Sequence, residues 1–189
     1  MSINKYMSIN QDILLEVDSF AKEHFEGKNT VGLHFRGTDK KQESFQISYD
    51  EVLEKLMLVL SSDRLLETIF VSSDESKFID FIKDHIKSHT IICRADSIRS
   101  TNELPFHNDD ASSKFDMNKD AIINCLLLSR CNTLVKSVSL LSDWSKLFSP
   151  ELPVVMLNEP FNHLNWFPTS AVIKSSIKIY GQSTNADAI

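Results

Sequence analysis

Residues 30–40 have the sequence Thr30-Val-Gly-Leu-His-Phe-Arg-Gly-Thr-Asp-Lys40, an apolar run followed by charged and small residues. The unbroken apolar part, which ends at Phe35, is typical of a buried strand, and the polar residues after it predict a loop. Arginine next to glycine at a strand end suits an anion, because a guanidinium makes paired hydrogen bonds and glycine permits close approach. A solvated loop with a local ion pair between Arg36 and Asp39 is the competing interpretation, and the motif taken alone favours it.

Strand-like and helix-like patterns alternate along the rest of the chain. The strands are continuous apolar runs, which indicate a parallel sheet covered on both faces. The predicted fold is therefore a Rossmann-like α/β domain, a parallel sheet with helices on both faces. Further strands are predicted at 68–72, 90–93, 133–135 and 153–156, and helices at about 10–25, from 48 onward, 77–87, 117–129 and from 137 or 139 to 148.

Three segments follow from this pattern. Residues 1–29 form a leading segment with one helix, residues 30–175 form the Rossmann-like domain, and residues 176–189 are a polar tail expected to be disordered. The second helix begins at Ser48, with Glu51 completing a capping box. The predicted buried face of this helix consists of Val52, Leu53, Leu56, Met57 and Leu60. Elsewhere in the chain, Trp144 and Trp166 are also predicted to have packing roles.

Composition excludes several classes of function. The formal net charge of −6 argues against binding to nucleic acid or to an anionic membrane, because both require a basic surface. Apolar runs such as 126–128 and 154–156 are too short for a membrane span. No secretory signal is expected, and the three cysteines are expected to be buried, reduced thiols of a cytoplasmic protein.

The carboxyl ends of parallel strands meet at one edge of a sheet, where ligands of such folds bind. The residues predicted at this edge include two serines at a helix start, a place that suits phosphate because backbone N–H groups are available there. These candidates are His34, Arg36, Asp39 and Lys40 after the first strand, Ser73, Asp74 and Glu75 after the second, and Ser137 and Ser139 after the fourth.

The segment around Arg36 resembles the His-x-Arg-x-Thr-Asp-Lys motif of the α1,6-fucosyltransferase and nodulation fucosyltransferase family. Two further blocks resemble that family in the same order, Ile69-Phe-Val-Ser-Ser-Asp-Glu75 and residues 127–139. The resemblance covers most of residues 30–145. It implies a glycosyltransferase of the GT-B type, of which this chain corresponds to the carboxy-terminal, donor-binding half.

The resemblance also implies a role for each matching residue. It places His34 near the guanine of GDP-fucose or a related donor, Arg36 and Ser139 at the diphosphate, and Lys40 and Glu43 near the reacting centre. The other donor-binding positions that it implies are Gly37, Asp39, Asp74, Asn124 and Ser137. Two of them depart from the family, since Gly37 stands where vertebrate members have a second arginine, and Asn124 stands where members have an acid. Asp120 lies one helical turn from Asn124 and is the nearest acid that could replace it.

The implied chemistry is inverting transfer of a sugar to an acceptor hydroxyl. Arg36 stabilises the departing diphosphate and Glu43 accepts the proton of the hydroxyl, so no metal and no cofactor other than the donor is expected. The acceptor is expected to be a glycan held by a second Rossmann-like half, supplied by a partner chain, a homo-oligomer or sequence outside this chain. A non-catalytic nucleotide-sugar-binding module and a structural α/β domain are the two alternatives.

Overall fold

The computed structural model describes residues 8–37, 44–97, 114–161 and 166–178. Within these ranges the chain forms six helices and five strands that alternate strictly in sequence, from α1 to α6. The strands are β1 (Asn29–Phe35), β2 (Leu66–Ser73), β3 (Thr90–Ile92), β4 (Thr133–Lys136) and β5 (Val154–Met156). The helices are α1 (Gln11–His24), α2 (Tyr49–Ser62), α3 (Ser76–His85), α4 (Lys114–Leu128), α5 (Leu140–Phe148) and α6 (Thr169–Ser175).

All five strands are parallel, and their order across the sheet is β3-β2-β1-β4-β5. The first strand is central, and the chain crosses from one side of the sheet to the other after β3. In this topology β1 and β4 are neighbours at the point where the strand order reverses, which is where doubly wound sheets bind ligands. The predicted parallel Rossmann-like sheet is confirmed.

Two hydrophobic clusters cover the two faces of the sheet, as predicted. Val31, Leu33 and Phe35 of β1 pack in one cluster with α2 and α3. The other cluster contains side chains of α1, α4 and α6 packed on β4 and β5. A side chain at Gly32 would lie 3.0 Å from Leu128 and 3.1 Å from Cys131, so glycine allows the end of α4 to approach the sheet closely.

The ends of two helices follow from their sequences. Asn10 caps α1 by accepting a hydrogen bond from the amide of Asp12. Ser48 and Glu51 form the predicted capping box of α2, in which each side chain accepts from the other residue's amide. Local sequence therefore defines where both helices begin.

The structure differs from the predicted packing at several positions. Met57 is exposed, because the buried face of α2 is narrower than its apolar stripe. Cys93 is only half-buried, whereas Cys125 and Cys131 are buried, and burial raises the pKa of the Cys125 thiol to about 12. The sequence pattern did not predict α6. The boundary proposed at residue 29 stays a prediction, and residues 179–189 of the polar tail lie outside the described residues.

Candidate functional site

A cavity of about 750 Å³ lies at the carboxyl edge of the sheet. Its size is within the range of small-molecule sites in proteins. Strand ends form one part of its lining, and α4 and α5 form the rest. The lining residues are His34 and Arg36 at the end of β1, Ser72, Ser73 and Asp74 at β2, Ser97, then Lys114, Met117, Asn118, Asp120, Ala121 and Asn124 of α4, and Leu140, Leu141 and Trp144 of α5.

His34 lies near the end of β1 and is buried at the cavity wall. Among the described residues, its Nδ1 atom has no hydrogen-bond partner. Burial lowers the pKa of His34 to about 3, with smaller contributions from the nearby charges of Lys136 and Arg36. The imidazole is therefore neutral at physiological pH and can offer a donor or an acceptor to a ligand.

Arg36 follows β1, and its backbone is held by the residue after β4. Its amide donates a 3.0 Å hydrogen bond to Oγ of Ser137, and the Ser137 amide donates to the His34 carbonyl, also at 3.0 Å. These two bonds fix the direction in which the chain leaves β1. The guanidinium Nε lies 4.0 Å from the Asp74 carboxylate, and both side chains remain partly exposed at the cavity. The structure thus brings Arg36 and Asp74 together at the cavity, and Ser137 holds the backbone of Arg36.

Glu75 explains why residue 37 is a glycine. A Cβ atom at residue 37 would lie 2.3 Å from Oε1 of Glu75 and 2.8 Å from the Phe35 ring. The hydroxyl of Tyr49 donates to the same carboxylate of Glu75. The space left by the absent side chain is therefore filled by the protein's own carboxylate.

Ser139 precedes α5 and is completely buried, so its hydroxyl does not line the cavity. Among the described residues, this hydroxyl has no hydrogen-bond partner. The first turn of α5 nevertheless borders the cavity through Leu140 and Leu141. A first helical turn carries backbone N–H groups that have no acceptor within the helix. The structure places the helix end, rather than the Ser139 side chain, at the cavity.

A buried ion pair lies beneath that helix end. Nζ of Lys136 is 2.5 Å from Oδ1 of Asp143 and donates to the Ser139 carbonyl at 3.3 Å. The hydroxyl of Thr169 donates to the other Asp143 oxygen at 2.5 Å. Lys136 and Asp143 are both 0% exposed. This network joins β4, α5 and α6, and the sequence analysis did not identify it.

The cavity wall formed by α4 contains a second polar network. Asn124 and Asp120, one helical turn apart, both line the cavity, and their side chains are hydrogen-bonded to each other at 3.1 Å. Arg94, only 5% exposed, donates to Asp120 at 2.6 Å. Asp120 was predicted as the nearest acid that could replace Asn124, whereas Arg94 was not predicted, because its only signal is a single arginine directly after a predicted strand.

The two tryptophans do not pack as predicted. Trp144, on α5, is half-buried and lines the cavity. Trp166 is 70% exposed and follows a segment that is not described. Both assignments to packing are therefore wrong.

Three of the predicted site residues, Asp39, Lys40 and Glu43, lie outside the described residues. Within the described part of the chain, no group of three His, Cys, Asp or Glu side chains is arranged to hold a metal ion. None of the helices in those same ranges is both long and apolar enough to cross a bilayer.

Comparison with solved structures identifies fucosyltransferases of similar fold. A NodZ α-1,6-fucosyltransferase co-crystallised with GDP is 15% identical with a TM-score of 0.56, over 82% of this chain and 46% of that chain. POFUT1 in complex with GDP-fucose is 16% identical with a TM-score of 0.55, over 82% and 48% of the two chains. An Arabidopsis thaliana FUT1 mutant in complex with GDP is 14% identical with a TM-score of 0.52, over 85% and 35%.

This chain spans less than half the length of each of these three proteins. No protein-family model and no curated protein sequence matches it. At identities of 14–16% the likeness is one of fold. The chain therefore has a Rossmann-like α/β fold that it shares with part of each of these fucosyltransferases.

Proposed function

We propose that this chain is the donor-binding half of a fucosyltransferase-like glycosyltransferase and holds GDP-fucose or a related nucleoside diphosphate sugar. The observation that carries the proposal is the cavity at the carboxyl ends of β1 and β2, which Arg36 lines together with the first turn of α5. The fold is shared with enzymes solved with GDP and GDP-fucose, which supports this class of ligand.

The diphosphate lies, in this proposal, between Arg36 and the amino end of α5. A guanidinium binds phosphate oxygens through paired, charge-assisted hydrogen bonds, and the helix end adds backbone N–H groups and positive dipole. Ser139 contributes through its backbone, because its hydroxyl is buried. Ser137 and Asp74 keep Arg36 in position through the contacts at 3.0 Å and 4.0 Å. Gly37, whose vacant side-chain space Glu75 fills, keeps this part of the site compact.

The nucleoside lies against His34 and Asn124. Neutral His34 has a buried Nδ1 without a partner among the described residues, which a ligand hydrogen bond would satisfy. Asn124 lines the same cavity from α4 and brings an amide that can accept from a base.

The proposed reaction is inverting transfer without a metal. The acceptor hydroxyl oxygen attacks the anomeric carbon, the bond to the diphosphate breaks, and the proton of the hydroxyl passes to Glu43. Arg36 and Lys40 stabilise the negative charge that develops on the diphosphate, and Asp39 assists donor binding. The glycan acceptor is held by a second half that a partner chain, a second copy or additional sequence supplies. We place this protein in the cytoplasm, in keeping with its free thiols.

Calorimetric titration with GDP tests the donor site. The wild-type protein is expected to bind GDP, and Arg36→Ala to weaken binding by roughly 10- to 100-fold, the contribution of hydrogen bonds to a charged group. Arg64→Ala is the matched control, because Arg64 is exposed and precedes β2, at the opposite edge of the sheet. The proposal fails if wild type gives no heat at millimolar GDP, or if the two variants weaken binding equally.

Turnover separates an enzyme from a binding module. Donor hydrolysis or transfer by the wild-type protein is compared with that of Glu43→Gln, which keeps the size of the side chain and removes the base. Loss of turnover with unchanged GDP affinity supports the role of Glu43. Unchanged turnover removes Glu43 from that role, and GDP binding without any turnover supports the non-catalytic module.

A further inference from the structure

The polar network on α4 contains more hydrogen bonds than a simple ion pair. Oδ1 of Asp120 accepts from Arg94 at 2.6 Å and from Ser97 at 3.1 Å. Oδ2 of Asp120 accepts from Nδ2 of Asn124 at 3.1 Å, and the same Nδ2 donates to Oγ of Ser97 at 3.0 Å. Four side chains from two parts of the chain, the segment after β3 and helix α4, therefore meet at one side of the cavity.

This network determines the orientation of the Asn124 amide. Asp120 is paired with a guanidinium, so it is a carboxylate that only accepts hydrogen bonds. The group of Asn124 that faces it must therefore be the amino group. Nδ2 is engaged by Asp120 and Ser97, and Oδ1 is the polar atom of Asn124 that the network does not use.

Arg94 fixes the position of the Asp120 carboxylate through its hydrogen bond to Oδ1. Its guanidinium also pairs with Glu16 at 3.1 Å and with Asp96 at 2.8 Å, and it is almost fully buried. Breaking such a network leaves buried charges without partners, which is costly. The orientation of the Asn124 amide is thus maintained by groups that do not themselves need to touch a ligand.

We propose that Asp120 is a positioning residue that sets the preference of the site for guanine over adenine, by holding the Asn124 carbonyl towards the base. This inference rests on the proposed function. The Watson–Crick edge of guanine presents adjacent N–H donors, whereas that of adenine presents a ring acceptor beside its amine. A carbonyl oxygen held towards the base therefore favours guanine. An amide that is free to rotate can hydrogen-bond to guanine or to adenine.

The test compares the affinities of GDP and ADP for wild type and Asp120→Asn by calorimetry. In this variant, the introduced amide keeps its oxygen towards Arg94 and turns its amino group towards Asn124, so the Asn124 amide reverses. Wild type is expected to prefer GDP. In Asp120→Asn the ratio of GDP to ADP affinity is expected to fall by roughly five- to tenfold, the size of one net hydrogen bond.

Asp116→Asn is the matched control, because Asp116 lies one turn earlier on α4 and is exposed outside the cavity lining. Its affinity ratio should equal that of wild type. If Asp120→Asn does not fold, Ser97→Ala replaces it, since the loss of one of the two acceptors of Nδ2 should lower the ratio by about two- to threefold. Circular dichroism confirms that each variant is folded.

The outcomes separate this inference from the proposed function. The decisive variant is Asp120→Asn if it folds, and otherwise Ser97→Ala. If wild type prefers GDP and the decisive variant has the same ratio of GDP to ADP affinity as wild type, the network has a structural role only and the inference is wrong. An equal weakening of GDP and ADP leads to the same conclusion, and the donor site then stands. If wild type binds neither nucleotide, the proposed function fails and this inference fails with it.

Discussion

Two cations lie at the ends of neighbouring strands and differ in burial and in how closely they are paired with a carboxylate. Lys136 at the end of β4 is fully buried and paired with Asp143 at 2.5 Å. Arg36 after β1 is 24% exposed and lies 4.0 Å from Asp74, at the wall of the cavity. The buried pair joins strands and helices, whereas the open pair leaves a guanidinium accessible to an anion. In the proposed function, stability and ligand binding therefore depend on different charges at one edge of the sheet.

The largest effect is expected where the buried pair is broken. Lys136→Met leaves the carboxylate of Asp143 buried without its cation, so the free energy of unfolding should fall by about 3–5 kcal/mol. Urea denaturation measures the change. The double variant Lys136→Met with Asp143→Leu should be more stable than the single variant, because no unpaired charge remains. A single variant as stable as wild type would show that the pair does not hold α5.

Besides burial, the charges of both cations lower the pKa of His34, which is the register partner of Lys136 of β4 and lies two residues before Arg36. Its pKa is about 3 in the folded protein and 6.5 in an unfolded chain. Above pH 6.5 both states are neutral, and below it only the unfolded chain takes up a proton, so stability falls as the pH falls towards 3. Between pH 7 and pH 5 this effect should remove about 2 kcal/mol from the free energy of unfolding.

The contribution of His34 is the difference between wild type and His34→Gln, which has no titrating ring. His85→Gln, at an exposed position on α3 outside the cavity, is the control for the substitution itself. In Lys136→Met the loss of stability should level off at a higher pH, because one of the charges that lower the folded-state pKa of His34 is gone. Identical slopes for wild type and His34→Gln would contradict the depressed pKa.

A smaller effect is expected at Gly37. The Cβ of alanine would displace Glu75 and the Phe35 ring, which stacks on Phe78 with centroids 4.3 Å apart. The cost should be about 1–2 kcal/mol in urea denaturation, as for other overpacked sites. Adding Glu75→Ala to this variant should recover part of the loss, since it removes the closest contact. No loss in Gly37→Ala would show that Glu75 and Phe35 move without strain.

The smallest effect on stability is expected at Arg36. Because its ion pair is open to solvent, Arg36→Met should lower the free energy of unfolding by less than about 1 kcal/mol. The same variant should bind GDP far more weakly. A loss of stability as large as that in Lys136→Met would remove the distinction between the two cations.

The sheet and most helices could be predicted from local patterns. Continuous apolar runs defined β1 and β2, and Ser48 with Glu51 defined the start of α2. Met57 was misassigned, because periodicity gives the direction of a side chain but not the width of the neighbouring surface. The short helix α6 was missed, because its seven residues carry too little pattern and follow Pro168.

The site was predictable where it depends on strand ends. The prediction that His34, Arg36 and Asp74 meet followed from their places after parallel strands, and all three line one cavity. Arg94 was not predictable, since Glu16 lies 78 residues away in sequence and only folding brings them together. Trp144 was misassigned because the start of α5 was predicted at this edge of the sheet, but the helical pattern does not show which of its side chains face the cavity.

Arg94 connects α1, through Glu16, with the cavity wall, through Asp120. Neither Glu16 nor Asp96 lines the cavity. Substitutions at these two positions can therefore change the contacts that orient Asp120 without changing any atom that lines the cavity. In the proposed site, base selectivity could then change during evolution through residues that lie outside the binding site itself.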